Sequence, residues 1–170
     1  MHFFKRIFRA LLMLALVVLI VIQFFHPAKN LSGDDSMSIK VAFNVPAEVD
    51  GILKTSCNDC HSNYTTYPWY TKIQPVDWWI DQHVREGKEE LNFSEFAGYS
   101  PRRQYRKFEE IRETVEEGEM PMEVYTVIHR EAVLNAAQKE QLMQWSIAMK
   151  DSMQRHYPMD SLKRNKKPSE

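Results

Sequence analysis

The chain has 170 residues, of which 44% are hydrophobic and 26% are charged, and its formal net charge is −1. This length and composition are ordinary for one globular domain with a hydrophobic core, and the small net charge excludes an overall electrostatic affinity for nucleic acid. Glycine is scarce, with five in the chain, and no sustained period-two alternation is present, so we expect an all-α protein.

The first 25 residues differ from the rest of the chain. Three cations between positions 5 and 9 precede an unbroken apolar run over residues 10–22, which is typical of an export signal. The downstream sequence fits a cleavage site poorly, so we expect residues 1–25 to form an uncleaved transmembrane anchor in a bacterial inner membrane. Basic residues before the span would place the N-terminus in the cytoplasm and the remainder in the periplasm. A cleaved signal and a soluble periplasmic protein are the alternative.

The remaining chain divides by composition. Residues 26–45 begin with a stretch rich in Pro, Ser, Gly and Asp, and they are predicted to be a linker. Residues 46–157 carry the helical patterns and form the predicted domain. Residues 158–170 end in a polar stretch with four cations and are predicted to be a tail.

Two helices are predicted in the first half of the domain. Residues 47–56 form one of them and lead directly into Cys57. The other is expected to run from Asp77, as its N-cap, to Glu86, with Gly87 as its terminator. The stretch between them holds prolines and many aromatic residues and is predicted to be irregular.

Two longer helices are predicted in the second half of the domain. Ser100 and Pro101 begin the first as N-cap and first helical residue, and Gly118 ends it. Asn135 and Gln138, three residues apart, resemble the capping box that begins the second. Their predicted buried positions, at helical spacing, are Tyr105, Phe108, Ile111 and Val115 in the first helix and Leu142, Trp145 and Met149 in the second.

The two cysteines of the chain, Cys57 and Cys60, stand three positions apart, and His61 follows at once. This is the C-x-x-C-H pattern of covalent haem attachment. Two thiols on one short turn can reach the two vinyl groups on one edge of a porphyrin, and the adjacent imidazole can reach the iron. We therefore predict one covalent haem c, with thioethers to Cys57 and Cys60 and with His61 as the proximal iron ligand.

Three other interpretations of the motif are weaker. The cysteines of an exported protein could form a disulfide or a thioredoxin-like redox pair, but the thioredoxin-like motif lies beside a βαβ pattern, which the sequence lacks. A zinc site would need further ligands at suitable spacing, and neither a second C-x-x-C nor an H-x₃₋₅-H occurs. A chance histidine after the second cysteine has odds of about 1 in 28, given six histidines in 170 residues. The export signal agrees with haem, because covalent haem attachment takes place outside the cytoplasm.

The sixth ligand of the iron is predicted less directly. Met120 follows the glycine that ends a helix and precedes Pro121, so we expect it on a loop, where small cytochromes c carry their methionine ligand. A methionine that merely fills a gap in the core is the competing explanation. Met122, His83 and His129 are the alternative ligands.

A family resemblance extends beyond the motif, over about residues 46–149. The residues that carry it are Cys57 to His61, Ser62 to Tyr70, Pro75, Gly87, Leu91 to Ser94, Met120-Pro121, Tyr125, His129 and Trp145. This set resembles the small exported bacterial haem-binding domains, a cytochrome-c-like family. The resemblance implies a cytochrome-c-like helical domain around one haem c, and it implies no particular reaction. The sequence departs from the family pattern directly after His129, where Arg130-Glu131-Ala132 stands in place of an expected proline and acid.

Aromatic side chains after the motif supply flat apolar surface for a macrocycle, and their N–H and O–H groups can bond propionates. Trp69 and Tyr70 are our candidates for packing against the haem. Ordinary core packing explains the same residues, and both explanations hold where a cofactor forms part of the core.

The helix predicted over residues 101–117 carries its cations early, namely Arg102, Arg103, Arg106 and Lys107, and acids late. This order opposes the helix dipole. A solvated face is the commoner explanation. A docking patch for a redox partner, or cations near the haem propionates, is the functional alternative.

These patterns together predict a membrane-anchored mono-haem cytochrome c that carries single electrons in the periplasm to or from a redox partner protein. We expect an electron carrier rather than an enzyme, and no binding of nucleic acid. The alternatives are a peroxidase-like haem enzyme and a haem-based redox or gas sensor, and both would need an open iron position.

Overall fold

The computed structural model describes residues 2–163, so the predicted tail beyond Lys163 lies outside the described residues. Every regular element in this range is helical, which confirms the all-α prediction. Three short 3-10 helices lie at Trp69–Lys72, Phe96–Gly98 and Arg130–Ala132. The α-helices are α1 (His2–Ile22), α2 (Ile39–Ala42), α3 (Ala47–Ser56), α4 (Asn58–His61), α5 (Val76–Glu90), α6 (Pro101–Glu117), α7 (Glu123–Ile128), α8 (Ala136–His156) and α9 (Met159–Leu162).

The prediction of a transmembrane anchor is wrong. Helix α1 ends at Ile22, and cations occupy its N-terminal half as far as Arg9, so the uncharged part covers only residues 10–22. At 1.5 Å per residue this part is about 20 Å long, against a hydrocarbon core of about 30 Å. Among residues 2–163, no helix combines the length and the apolar character needed to cross a bilayer.

The hydrophobic core lies mainly between α6 and α8, which pack along one another. Phe108 on α6 is fully buried at its centre. Its ring centroid is 4.9 Å from that of Phe43, 5.1 Å from Phe96 and 5.5 Å from Trp145. Aromatic rings at these distances, edge-on or tilted, gain both buried area and favourable quadrupole contacts.

The two long helices begin and pack as the sequence predicts. The Ser100 hydroxyl accepts a hydrogen bond from the Arg103 backbone N–H at the start of α6, and Gly118, with φ 78°, follows its end in the left-handed region. Asn135 and Gln138 form a reciprocal capping box at α8. Six of the seven predicted core positions are buried, and the seventh, Met149, is partly buried against the same core.

Helix α5 differs from its prediction at both ends. It begins at Val76, so Asp77 lies inside the first turn rather than capping it. The Asp77 carboxylate is buried instead, where it pairs with His26 and Lys29. At the other end the helix passes through Gly87 and ends at Glu90. A neighbouring segment occupies the space that a side chain at position 87 would need, which is why a glycine stands inside the helix.

Residues 23–35, here called the strap, run along α5 and the loop after the C-x-x-C-H motif. The Gln23 side chain and the Gln74 backbone exchange two hydrogen bonds, of 2.9 and 3.2 Å. The Asn30 side chain donates to the Ser62 carbonyl at 2.8 Å, and the Gly33 N–H donates to the Asn63 carbonyl at 2.9 Å. The predicted linker therefore begins with residues that are hydrogen-bonded to the domain.

Candidate functional site

The C-x-x-C-H motif forms one tight turn of helix. Cys57 ends α3, donating its N–H to the Leu53 carbonyl at 3.0 Å, and its own carbonyl accepts the N–H groups of Cys60 and His61. Both cysteines are unpaired thiols. Because α4 starts directly after α3 ends, the two thiols and the imidazole belong to a single compact unit.

The orientation of the His61 imidazole is set by α5. Its Nδ1 lies 2.9 Å from the Gly87 carbonyl oxygen and 3.0 Å from the Leu91 carbonyl oxygen. Carbonyls only accept, so Nδ1 carries the proton and Nε2 keeps its lone pair. Burial lowers the pKa of His61, which favours the neutral imidazole. A neutral ring whose far nitrogen is fixed by carbonyls is a well-oriented metal ligand.

A cavity of about 190 Å³ opens beside this unit. It is lined by Cys57, Cys60 and His61 from the motif and by His83, Glu86, Gly87, Glu90, Met120, Pro121, Met122 and Tyr125, among others. A second, smaller cavity of about 70 Å³ shares five of its lining residues with the first, so the two are parts of one cleft. The second part has mostly apolar walls, including Val76, Trp79, Ile80 and Ile128.

Gly87 permits α5 to approach the motif. A Cβ atom at this position would lie 2.7 Å from the Cys60 carbonyl oxygen and 3.2 Å from the Cys60 Cβ. No side chain fits at that distance without moving the backbone of one partner. Gly87, which the sequence suggested as a helix terminator, therefore has a different role. It lets α5 pack against Cys60, and its carbonyl accepts the hydrogen bond from His61 Nδ1.

A buried hydrogen-bond network supports the motif from the other side. The Phe93 N–H donates to the His61 carbonyl at 2.7 Å. The Asn92 amide donates to the Asn63 side-chain oxygen at 2.9 Å, and the Asn63 N–H donates to the Ser94 hydroxyl at 3.0 Å. Two segments that carry the family resemblance thus meet in space, and they fix the chain directly after His61.

The four predicted candidates for the sixth iron ligand lie in or beside the cleft. Met120 and Met122, on the loop between α6 and α7, both line the part that contains His61. His83 on α5 lines both parts, and its Nδ1 donates to the Trp79 carbonyl at 2.7 Å, which leaves Nε2 with a lone pair. His129 lines only the apolar part.

His129 is held by protein partners at both ring nitrogens. Its Nε2 lies 2.6 Å from the Tyr70 hydroxyl, and its Nδ1 lies 3.2 Å from a Glu131 carboxylate oxygen. Its ring also stacks on Tyr125 at a centroid distance of 4.3 Å. Of the two aromatic candidates for haem packing, Tyr70 lines the cleft, whereas Trp69 stands outside it with 74% of its surface exposed.

Sequence reasoning missed the link between Asp59, inside the motif, and Tyr125 on α7. The Tyr125 hydroxyl donates to the Asp59 carboxylate at 2.8 Å. Burial and the neighbouring Asp59 charge raise the pKa of Tyr125, so the phenol stays protonated and keeps this bond. The bond ties the helix after the methionine loop to the turn that carries both cysteines. Nothing in the spacing of these two residues, far apart in the chain, indicates the contact.

The early cations of α6 are engaged by the protein itself. Arg102 donates to the carbonyls of Asp160 and Ser161, and Arg103 donates to the Glu89 carbonyl and lies over the Tyr99 ring. Arg106 pairs with Glu110. The unfavourable interaction of these cations with the helix dipole is therefore offset by their contacts with nearby carbonyls, a carboxylate and an aromatic ring.

The cleft fits a haem by the chemistry of its donors. Two unpaired thiols and an imidazole with a free Nε2 belong to one turn, and a soft thioether is available from Met120 or Met122 in the lining of the same cavity. The apolar part of the cleft, including the half-exposed Trp79 and Ile128, presents surface that a flat macrocycle would cover. Burial raises the pKa of the thiols, to about 12 for Cys57 and about 11 for Cys60, so both are neutral near pH 7.

Comparison with known proteins agrees with this chemistry. A family described as a haem-binding domain matches residues 17–148 of the chain. No curated protein and no solved structure matches it. Because the family match covers most of the chain and includes the motif, the cleft and the methionine loop, the protein belongs to the haem-binding domain family.

Proposed function

We propose that the protein is a mono-haem c-type cytochrome that transfers single electrons outside the cytoplasm. When bound, the haem iron supplies the redox chemistry by exchanging one electron between its ferrous and ferric states. The chain would supply covalent attachment through Cys57 and Cys60, an axial ligand from His61, and the apolar walls of the cleft.

The observation that carries this proposal is the hydrogen bonding of His61. Its Nδ1 is fixed by the backbone carbonyls of Gly87, in α5, and of Leu91, directly after α5, at 2.9 and 3.0 Å. A disulfide between the cysteines gives no reason for this arrangement, and among residues 2–163 no three His, Cys, Asp or Glu side chains are grouped so that they could hold a zinc ion. A proximal ligand needs this hydrogen bonding, because donation from Nδ1 raises the basicity of Nε2 and holds the ring in one orientation.

Met120 is the proposed sixth ligand, because it lies on the loop between α6 and α7 and lines the same cavity as His61. Met122 lies on the same loop two residues later, and a thioether from either residue would give a similar site. Tyr125, which follows them on α7, restrains the loop through its bond to Asp59. A six-coordinate iron favours electron transfer over ligand binding.

A second candidate site has His83 as the axial ligand. Its Nδ1 donates to a carbonyl and its Nε2 is left for a metal, which is the same state as that of His61. Two imidazoles would hold the iron at a lower potential than imidazole with methionine. A peroxidase-like enzyme or a gas sensor would need an open position on the iron. Neither a methionine nor His83 would then bind the iron, and His83 would lie beside the open position.

Export and a partner protein belong to the same proposal. Covalent haem attachment takes place outside the cytoplasm, and the cations before an apolar run at the N-terminus are typical of export signals. An electron carrier needs a donor and an acceptor, so we infer a redox partner protein in the periplasm or at the membrane surface.

The experiment is to produce the protein together with a haem-maturation system in a bacterial host and extract it with acid–acetone. We expect the haem to remain with the unmodified protein, to be released by Cys57→Ala with Cys60→Ala, and to be found in the periplasmic fraction. Low-spin absorption spectra in both oxidation states are expected of an electron carrier. Haem that is extracted from the unmodified protein would refute covalent attachment, and a high-spin spectrum would favour the enzyme or sensor.

A further inference from the structure

Lys107 on α6 is a buried cation. Only 4% of its side chain is exposed. Its Nζ lies 3.2 Å from a Glu90 carboxylate oxygen and 2.5 Å from a Glu110 carboxylate oxygen. The Glu90 side chain is 80% exposed, so the pair is made of a buried cation and a solvated anion.

Burying the Lys107 charge costs desolvation free energy, so a contribution to stability does not explain why a lysine occupies this position. The desolvation penalty of a buried ion pair often exceeds its Coulombic gain, and an apolar side chain of similar volume is often as stable. The next residue back, Arg106, pairs with the same Glu110 at 3.2 Å while its side chain is 63% exposed. Two neighbouring cations on one helix thus share an acid, and one of them is held away from solvent.

The position of Lys107 relates it to the haem ligand. Its partner Glu90 is the last residue of α5 and lines the cavity that contains His61. The next residue, Leu91, supplies one of the two carbonyls that bond His61 Nδ1. Lys107 is thus connected to the His61 ring through the Glu90 side chain, the adjoining Leu91 backbone and one hydrogen bond.

We propose that Lys107 raises the reduction potential of the haem bound through His61, as a fixed positive charge held out of solvent behind the proximal ligand. This inference rests on the proposed function. Ferric haem carries one more positive charge than ferrous haem, so a nearby buried cation disfavours the oxidised state. The protein around the charge screens it less than water would, and Glu90 and Glu110 offset it only in part because both reach solvent.

The test is the midpoint potential of the holoprotein, measured by spectroelectrochemical titration of the unmodified protein and five variants. Lys107→Met keeps the length of the side chain and removes the charge, and it should lower the potential. Glu90→Gln and Glu110→Gln remove opposing negative charges, and both should raise the potential. Lys107→Arg should stay near the unmodified value. Arg106→Met, the matched control on the same helix, should cause little change because its charge is in solvent.

The signs of these potential shifts distinguish an electrostatic effect of Lys107 from a purely structural role of the ion pairs. If the ion pairs only held α5 in place, removing any of the three partners would loosen the His61 carbonyl bonds and shift the potential in one common direction. A shift of common sign in all three variants, or an unchanged potential in Lys107→Met, would overturn the proposal. If Lys107→Met does not fold, the two glutamate variants decide, since both must raise the potential.

Salt and haem retention complete the experiment. The shift in Lys107→Met should persist at high ionic strength, because a buried charge is poorly screened, and its disappearance would count against the proposal. Acid–acetone extraction of the same samples reports on attachment. Haem lost from the unmodified protein would defeat the proposed function, whereas haem retained in all forms with no shift in Lys107→Met would defeat this inference alone.

Discussion

Met120 and His61 both line the cleft, but they are held in place by different parts of the structure. His61 belongs to the motif turn and is fixed by two carbonyls, whereas Met120 belongs to a loop that is fixed through the Tyr125–Asp59 hydrogen bond. If both residues bind the iron as proposed, the methionine on the loop should leave the iron more readily than the histidine on the hydrogen-bonded turn. The sixth ligand is therefore the residue at which a single substitution should change function most clearly.

Substitution of Met120 by Ala should remove the far-red sulfur-to-iron charge-transfer band of the oxidised holoprotein. It should also lower the reduction potential and open the iron to carbon monoxide, because a soft neutral thioether stabilises ferrous over ferric iron. Met120→His should restore low-spin iron at a still lower potential. The measurements are near-infrared absorption and carbon monoxide binding.

Two control variants accompany Met120→Ala. Met122→Ala and His83→Ala should keep the charge-transfer band. If Met122→Ala removes it instead, the ligand lies two residues further along the same loop. If the unmodified protein lacks the band and only His83→Ala changes its spin state, the iron has two histidine ligands and the assignment of Met120 is wrong.

At the residue scale, the motif and the methionine loop could be predicted from the sequence because each has a local signature. Cys57, Cys60 and His61 lie within five consecutive residues, and Met120 lies two residues after Gly118 and directly before Pro121. The Asp59–Tyr125 bond and the burial of Lys107 could not be predicted in this way. Each depends on contacts between distant segments, and a lysine in an amphipathic helix has no local mark that distinguishes a buried position from an exposed one.

At the scale of helices, the packing of α5 against α4 determines the site. Periodicity and capping predict α6 and α8 well, because Ser100, Gly118 and the Asn135 capping box are local signals. For α5 the same rules misplace both ends. A glycine at the C-terminal end of an apolar pattern favours a helix stop, but the close approach of Cys60 gives Gly87 another reason to be glycine, and the helix continues to Glu90.

Gly87→Ala should destabilise the protein, although alanine is ordinarily the better helix former. A Cβ 2.7 Å from the Cys60 carbonyl oxygen forces the two helices apart, and overpacking of this kind typically costs about 1–3 kcal/mol. The movement should also weaken the bond from His61 Nδ1 to the Gly87 carbonyl. The measurements are the free energy of unfolding in denaturant and the yield of covalent haem.

Gly51→Ala is the matched control for this substitution. Gly51 lies inside α3, and a Cβ there would meet nothing within 4 Å. Replacing an exposed helical glycine by alanine should therefore stabilise the protein, by roughly 0.5–1 kcal/mol. Opposite signs at the two glycines are expected. Stabilisation at both positions would show that α5 is not held against Cys60 as closely as the geometry indicates.

For the whole molecule, the N-terminal region divides at Ile22 into two parts with different relations to the domain. The apolar side chains of α1, such as Phe8 and Leu14, are exposed over most of their surface. The strap that follows is tied to α5 and to the loop after the motif. Composition could not predict this tie, because the same Pro, Ser, Gly and Asp residues favour a free linker, and because the partners Gln74 and Asp77 carry no local signal of a distant contact.

The buried Asp77 carboxylate makes the strap part of the folded domain. Its partners within the described chain include His26 Nδ1, at 2.6 Å, and the Lys29 ammonium group. Both partners come from the strap, so removing the strap leaves a carboxylate inside the protein without a counter-charge. Breaking a buried pair in this way is strongly destabilising, by about 3–5 kcal/mol. The strap also supplies the Asn30 bond to the Ser62 carbonyl, directly after the haem motif.

Two deletions, each made behind an unrelated export signal, test this division. Loss of residues 2–22 should leave the melting temperature and haem content of the holoprotein nearly unchanged, because α1 covers little of the domain. Loss of residues 2–35 should lower the melting temperature markedly and reduce the yield of covalent haem. Asp77→Asn in the longer deletion should recover part of the loss, since it removes the unpaired charge. Equal melting temperatures for the two deletions would show that the strap contributes nothing to the stability of the haem domain.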